Sequence, residues 1–149
     1  MMFSRDPVVL KFIKKISVHN DEVAARKVVQ EAFFMLKTKY GVANPLECLR
    51  EGLKACSPAV LTKRRVVAGR ALNIPVPCDE NQGRKKGLIF LREGFRERRE
   101  STAAERLCKE LLALQKMEGN SINMRDNLHR MAESNRAFVH FLSRAKSRR

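Results

Sequence analysis

The side chains best suited to chemistry in this sequence are cations. Lys63, Arg64, Arg65 and Arg70 lie in a stretch, Val60 through Cys78, that holds no acidic residue. An Arg guanidinium offers a rigid fork of donors that matches phosphate oxygens, and Lys adds a compact point charge. One-sided charge of this kind suits a phosphate backbone, whereas the bland reading is an edge hairpin with solvated gatekeeper charges. A second group, Arg84, Lys85, Lys86, Arg92, Arg96 and Arg99, borders an apolar stripe. Glu93, Glu97 and Glu100 partly offset it through helix-spaced ion pairs, so a solvated charged face competes with phosphate contact. A third group lies near the C-terminus. Arg125, His129, Arg136 and His140 recur at steps of four and seven, which predicts one shared helix face, with Arg130 beside it. Asn135 falls in the apolar stripe of Leu128, Met131, Phe138 and Leu142, where its amide must find a partner. Contacts to nucleic acid and a capped core network are the two readings of that helix.

Catalysis finds little support. The chain has no Gly-rich phosphate loop, no Gly-x-Ser-x-Gly and no His-Glu-x-x-His. Ser101 and Thr102 read as helix caps, and Asp126 and Glu133 as salt-bridge partners among basic residues. Cys48, Cys56, Cys78 and Cys108 are scattered without a Cys-x-x-Cys pair, and His129 and His140 stand three turns apart. No metal and no cofactor is expected. Reduced, structural thiols in an intracellular compartment are the plain reading.

The elements that must position these groups are mostly helical. Val9, Phe12, Ile13 and Ile16 mark a helix over about 7–18, after which His19-Asn20-Asp21 reads as a turn. Asp21 caps a second helix, about 22–40, stopped by Gly41. Asn44, Pro45 and Glu47 open a third, whose stripe is Leu46, Leu49, Leu53 and Cys56, and Ser57-Pro58 ends it. The period then changes. Val60–Val67 and Arg70–Val76 read as two arms of a β-hairpin with Ala68-Gly69 at its tip, and Pro75 and Pro77 confine the second arm to an edge. Residues 79–83 read as a loop or cap, followed by a helix over 84–99. Thr102 and Glu105 predict a capping box for a helix carrying Leu107, Leu111, Leu112 and Leu114. Gly119-Asn120 breaks it, and a last helix is expected over about 124–142. The expected fold class is therefore mainly α: a bundle of about six helices with a protruding two-stranded β-hairpin between the third and fourth. A single domain over 1–142 is expected, with the arm at about 60–77 and a basic tail at 143–149.

Composition bounds the partner. The 149 residues carry 31 Lys and Arg against 16 Asp and Glu, a net charge of +15. A domain this small repels itself at that charge unless an anion lies against it, so a polyanion is implied. Nucleic acid is the first choice. An anionic membrane is weak, because no aromatic-rich amphipathic face adjoins the tail Arg144 to Arg149. No apolar run of spanning length exists, and Met1 to Ile16 lacks the apolar core of a secretory signal. Charge is uneven: residues 1–59 hold 10 basic and 6 acidic side chains, residues 60–149 hold 21 and 10. The polyanion should face the second part.

At the last helix the sequence resembles a known family. Arg125-Asp126-Asn127-Leu128-His129-Arg130-Met131-Ala132-Glu133-Ser134-Asn135-Arg136-Ala137-Phe138-Val139-His140-Phe141 is similar to the C-terminal motif of small-subunit ribosomal protein seven. Asn44-Pro45-Leu46 resembles its third-helix start. Ser57-Pro58-Ala59-Val60, Lys63, Arg65, Val67-Ala68-Gly69 and Ile74-Pro75-Val76 resemble its hairpin, and Thr102, Arg106-Leu107 and Glu110-Leu111 its fifth helix. The likeness runs from about Asp6 to Phe141.

The resemblance implies a structural, non-enzymatic protein that binds the 3′ major (head) domain of small-subunit ribosomal RNA and nucleates head assembly. It also implies a position near the exit-site tRNA and the mRNA exit path, among other head and platform proteins, with no membrane. The RNA-facing residues would be Lys63, Arg64, Arg65, Arg70, Arg84, Lys85, Lys86, Arg92, Arg96, Arg99, Arg125, His129, Arg130, Asn135, Arg136 and His140. Departures exist. Asn20-Asp21-Glu22 stands where the family usually has Gly-Lys-Lys, Leu72 replaces a hairpin Tyr, and Val66 stands where an Arg is common. Val67-Ala68-Gly69 and Asn127-Leu128-His129 look more like mitochondrial members, so a mitochondrial ribosome is expected, the alternative being a plastid or bacterial one. The start of the chain, without the basic extension of bacterial members and with no obvious room for a presequence, suggests an organelle-encoded gene. The competing functional class is a non-ribosomal basic helical RNA-binding protein, an assembly factor or translational regulator.

Overall fold

A computed structural model describes residues 5–141. Six α-helices and one hairpin follow in the order α1 (Pro7–Ile16), α2 (Glu22–Thr38), α3 (Pro45–Cys56), β1 (Val60–Val67), β2 (Arg70–Pro77), α4 (Glu80–Arg96), α5 (Ala103–Gln115) and α6 (Asn120–Ser134), with a 3-10 turn at Arg136–Phe138. The expected fold class stands: helices with a two-stranded antiparallel hairpin between α3 and α4. The proposed basic tail lies outside the described residues, as does Leu142.

Most helix starts are chemically marked. Asp6, Asp21, Asn44 and Thr102 each accept a backbone N–H from the first turn of α1, α2, α3 and α5. The box expected at Thr102 and Glu105 forms only by half, because the Glu105 carboxylate turns to Lys39 at 3.0 Å. The full reciprocal box occurs instead on α4. Asp79 accepts from Gln82 N at 2.7 Å, and the Gln82 amide accepts from Asp79 N at 3.2 Å. Hence α4 begins at Glu80, four residues before the expected Arg84, and it ends at Arg96 rather than Arg99. Helix α2 closes at Thr38, short of Tyr40, and Gly41 takes the left-handed conformation at φ +66°.

The last helix differs most from expectation. It starts at Asn120, because Gly119 at φ +95° serves as its N-cap rather than as a break. It stops at Ser134 and passes into the 3-10 turn, so the periodicity that continues through Phe138 does not continue as α-helix.

The core is built by the inner faces of α1 to α5. Phe12, Phe33, Leu36, Leu49, Leu91, Leu107, Leu111 and Leu114 are fully enclosed, and Phe12 meets Phe95 edge to face. Helix α6 adds only Ile122 to this cluster. It lies against α4 and along both strands. The hairpin pairs Val60 with Pro77 at its base and Val67 with Arg70 at its tip. Ala68 and Gly69 form the two-residue turn, with φ of +50° and +78°.

Candidate nucleic-acid interface

The register distributes the hairpin cations over both faces. Side chains alternate along a strand, so Lys63 and Arg65 share a face with their cross-strand partners Ile74 and Leu72, and with Arg70 nearer the tip. Ile74 is the fully enclosed residue of that face. Arg64 lies on the opposite, outer face with Val66, which is 71% exposed. Lys63, Arg64 and Arg70 are exposed. None of the three has a protein acceptor among the described residues. Arg65 is half-buried, and its Nε is enclosed without an acceptor. An arm with cations on both faces can place charge against phosphates on either side of a groove.

The α4 cations divide differently. Arg84 pairs with Glu80 one turn back. Arg92 pairs with Glu93 at 2.6 Å, and Lys86 sits 5.3 Å from the centre of the Phe90 ring. Arg96 donates to the Ile16 carbonyl at 3.1 Å and so ties α4 to the end of α1. Lys85 and Arg99 are the exposed α4-region cations of the predicted set that have no protein partner among the described residues. Arg99 lies beyond the helix end.

Near the C-terminus the predicted face does not assemble. Arg136 and His140 come after the end of α6, so they do not continue the line of Arg125 and His129. Arg136 is exposed and approaches Glu133 at 3.5 Å, while His140 Nδ1 lies 2.9 Å from the Ala137 carbonyl. Arg125 is half-buried. Its Nη1 donates to Ala55 O at 2.5 Å and its Nη2 pairs with Asp126 at 2.9 Å. His129 Nε2 accepts the Ala59 N–H at 3.2 Å. Asn135 donates from Nδ2 to Asn73 O at 2.8 Å. The core-network reading of the Asn135 amide is thus replaced by an exposed contact with the hairpin. Arg130 is exposed and has no protein partner among the described residues.

Beneath these groups lies a buried polar cluster that sequence reasoning missed. Glu110 of α5 is 0% exposed. Its Oε1 accepts from Ser121 Oγ at 2.7 Å and from Ser121 N at 3.2 Å, and its Oε2 accepts from Arg98 Nη1 at 3.0 Å. Ser121 sits in the first turn of α6, whose N-cap Gly119 offers no side chain. The α5 carboxylate therefore caps α6 from outside, at the end where the helix dipole favours an anion. Burial pulls Arg98 down, but its hydrogen bonds to Glu100 and Glu110 outweigh that and hold it above its ordinary value. The bond from Arg98 holds Glu100 below the usual carboxylate range. Gly94 makes the approach possible, since a Cβ there would fall 2.0 Å from Ser121 Oγ. One signal was available: a lone Glu among Leu107, Leu111 and Leu114 must find a cation or several donors.

Among the described residues, no group of three His, Cys, Asp or Glu is placed to hold a metal ion. Burial pushes the Cys48 and Cys108 thiols up to about 11 and the Cys56 thiol to about 12. These are inert interior thiols.

A helical body with a cation-bearing arm fits the class of structural nucleic-acid-binding modules. Comparison with known proteins narrows the class. The family model for ribosomal protein S7p/S5e matches residues 2–136. The protein named small ribosomal subunit protein uS7 of Francisella tularensis subsp. holarctica (strain OSU18) is 33% identical over 137 residues, which cover 92% of this chain and 87% of that protein. The protein of the same name from Francisella philomiragia subsp. philomiragia is also 33% identical over the same shares, and that of Francisella tularensis subsp. novicida (strain U112) is 32% identical. The chain belongs to the ribosomal protein S7p/S5e family.

Proposed function

We propose that this protein is a structural constituent of the small ribosomal subunit and acts there by binding ribosomal RNA rather than by catalysis. Family membership over nearly the whole chain supports this reading. The observation that carries the mechanism is the arm: Lys63, Arg64 and Arg70 stand exposed on a hairpin held against a rigid body. Phosphate neutralisation supplies affinity, and the fixed spacing between arm and body selects the shape of the RNA.

The RNA in this proposal is the 3′ major domain, and the binding helps to nucleate the subunit head. Lys85, Arg99 and Arg130 provide further contacts. Exit-site tRNA, the mRNA exit path and other head and platform proteins are its surroundings. The mitochondrial ribosome is the proposed location, on the likeness of Val67-Ala68-Gly69 and Asn127-Leu128-His129 to mitochondrial members.

The test is a salt titration of binding to a transcript of the 3′ major domain, with Lys63, Arg64 and Arg70 each replaced by Ala together. Each lost phosphate contact should lower the slope of log K against log salt by about one, so a fall of about three is expected with unchanged helical circular dichroism. An unchanged slope would remove the arm from the interface.

A further inference from the structure

Three side chains of the C-terminal region direct their polar atoms to the backbone on which the hairpin is mounted. Arg125 holds the Ala55 carbonyl in the last turn of α3. His129 holds the Ala59 amide, the residue before β1. Asn135 holds the Asn73 carbonyl within β2. The first two secure the root of the arm. There Cys78, just past β2, also donates to the Pro58 carbonyl at 3.4 Å.

The third grip is different because of where it falls. Asn73 pairs with Arg64, four pairs out from the basal Val60–Pro77 pair. At about 3.3 Å per residue that is about 13 Å along the arm, with the tip about 10 Å further. A two-stranded ribbon held only at its root can pivot and twist. A second hold that far out removes the pivot. Ile74, next to Asn73 and fully enclosed, supplies apolar contact at the same level.

We propose that Asn135, with Arg125 and His129, is a positioning residue: it sets the angle between the arm and the helical body. The angle decides whether the cations of the arm and those of the body can meet one RNA fold at the same time. The inference rests on the proposed RNA-binding function, but its structural half is independent of it. It also separates these three residues from Lys63, Arg64 and Arg70, which have no such internal duty.

The experiment uses the full chain with Asn135→Ala, a contact exposed enough that folding should survive. Binding is titrated with salt against two probes, a transcript of the 3′ major domain and a generic RNA duplex of equal length. The expected result is a loss of preference for the transcript, about tenfold, with duplex affinity and salt slope unchanged. A direct RNA contact by the uncharged Asn135 amide would instead weaken binding to both probes alike with the preference kept, and that outcome overturns the proposal. Spin labels at Ala68→Cys and Glu31→Cys, in a Cys78→Ser background, report the angle in the free protein. Asn135→Ala should broaden that distance distribution, and an unchanged distribution overturns the proposal. If the unmodified chain shows no preference for the transcript, the ribosomal reading fails, while the distance measurement still decides the role of Asn135.

Discussion

Removing the Glu110 carboxylate should be among the most damaging single changes to this fold. In Glu110→Gln the side chain keeps its volume, but an NH2 replaces one oxygen. One end can still accept from Ser121. The other then presents a donor to Arg98 Nη1, now 3.0 Å from an acceptor. Breaking a buried ion pair by removing one partner costs ~3–5 kcal/mol. Arg98 retains Glu100 at 2.9 Å, so the lower figure, ~3 kcal/mol, applies. For 149 residues, at ~2.1 cal/mol/K per residue, the unfolding entropy is about 0.3 kcal/mol/K. The melting temperature should therefore fall by about 10 °C. Chemical denaturation gives the free energy. A loss below about 1 kcal/mol would refute the claim that Arg98 depends on this carboxylate.

Other outcomes follow from smaller features. Ala68 adopts a left-handed conformation that Asn tolerates better, so Ala68→Asn should raise stability by about 1 kcal/mol in denaturant titration. At pH 8 the thiols of Cys48 and Cys108, raised to about 11, are only about one part in a thousand ionised, so iodoacetamide followed by mass spectrometry should modify them only on unfolding. Glu100 has a depressed folded pKa, so its stabilisation is present above its unfolded value and is lost as pH falls through the folded one. Glu100→Gln should therefore be destabilising at neutral pH, with the difference shrinking in acid, as measured by urea unfolding at several pH values.

Where a local signal stood on the right residues, the fold was legible. Asn44 and Pro45 marked the start of α3, and Ala68-Gly69 marked the tip. The α4 start was equally marked by Asp79 and Gln82, but Gly83 gave residues 79–83 the look of a loop. Gly87 is there for close packing: a Cβ would lie 2.6 Å from Ser57 Oγ. The end of α6 could not be read from periodicity, because Asn135 answers to the Asn73 carbonyl 62 residues earlier. The same cause limited the reading of the interface. Cations in a row look alike in sequence, and only the fold shows that Arg96 and Arg125 are spent on carbonyls of Ile16 and Ala55 while Lys63, Arg64 and Arg70 have no partner among the described residues.

The mounting of the hairpin also has a consequence in time. Its two strands are neighbours in sequence and zip locally, within microseconds. Their attachments to the body, from Arg125 to Ala55 and from His129 to Ala59, each span 70 residues and wait for nearly the whole chain. Synthesis proceeds from the N-terminus at about 5–20 residues per second, so several seconds separate the emergence of the arm from that of its anchors. During that interval the charged arm exists without its set angle. If the arm's angle selects RNA as proposed, the nascent protein meets RNA loosely through charge and acquires its selective geometry only as α6 docks.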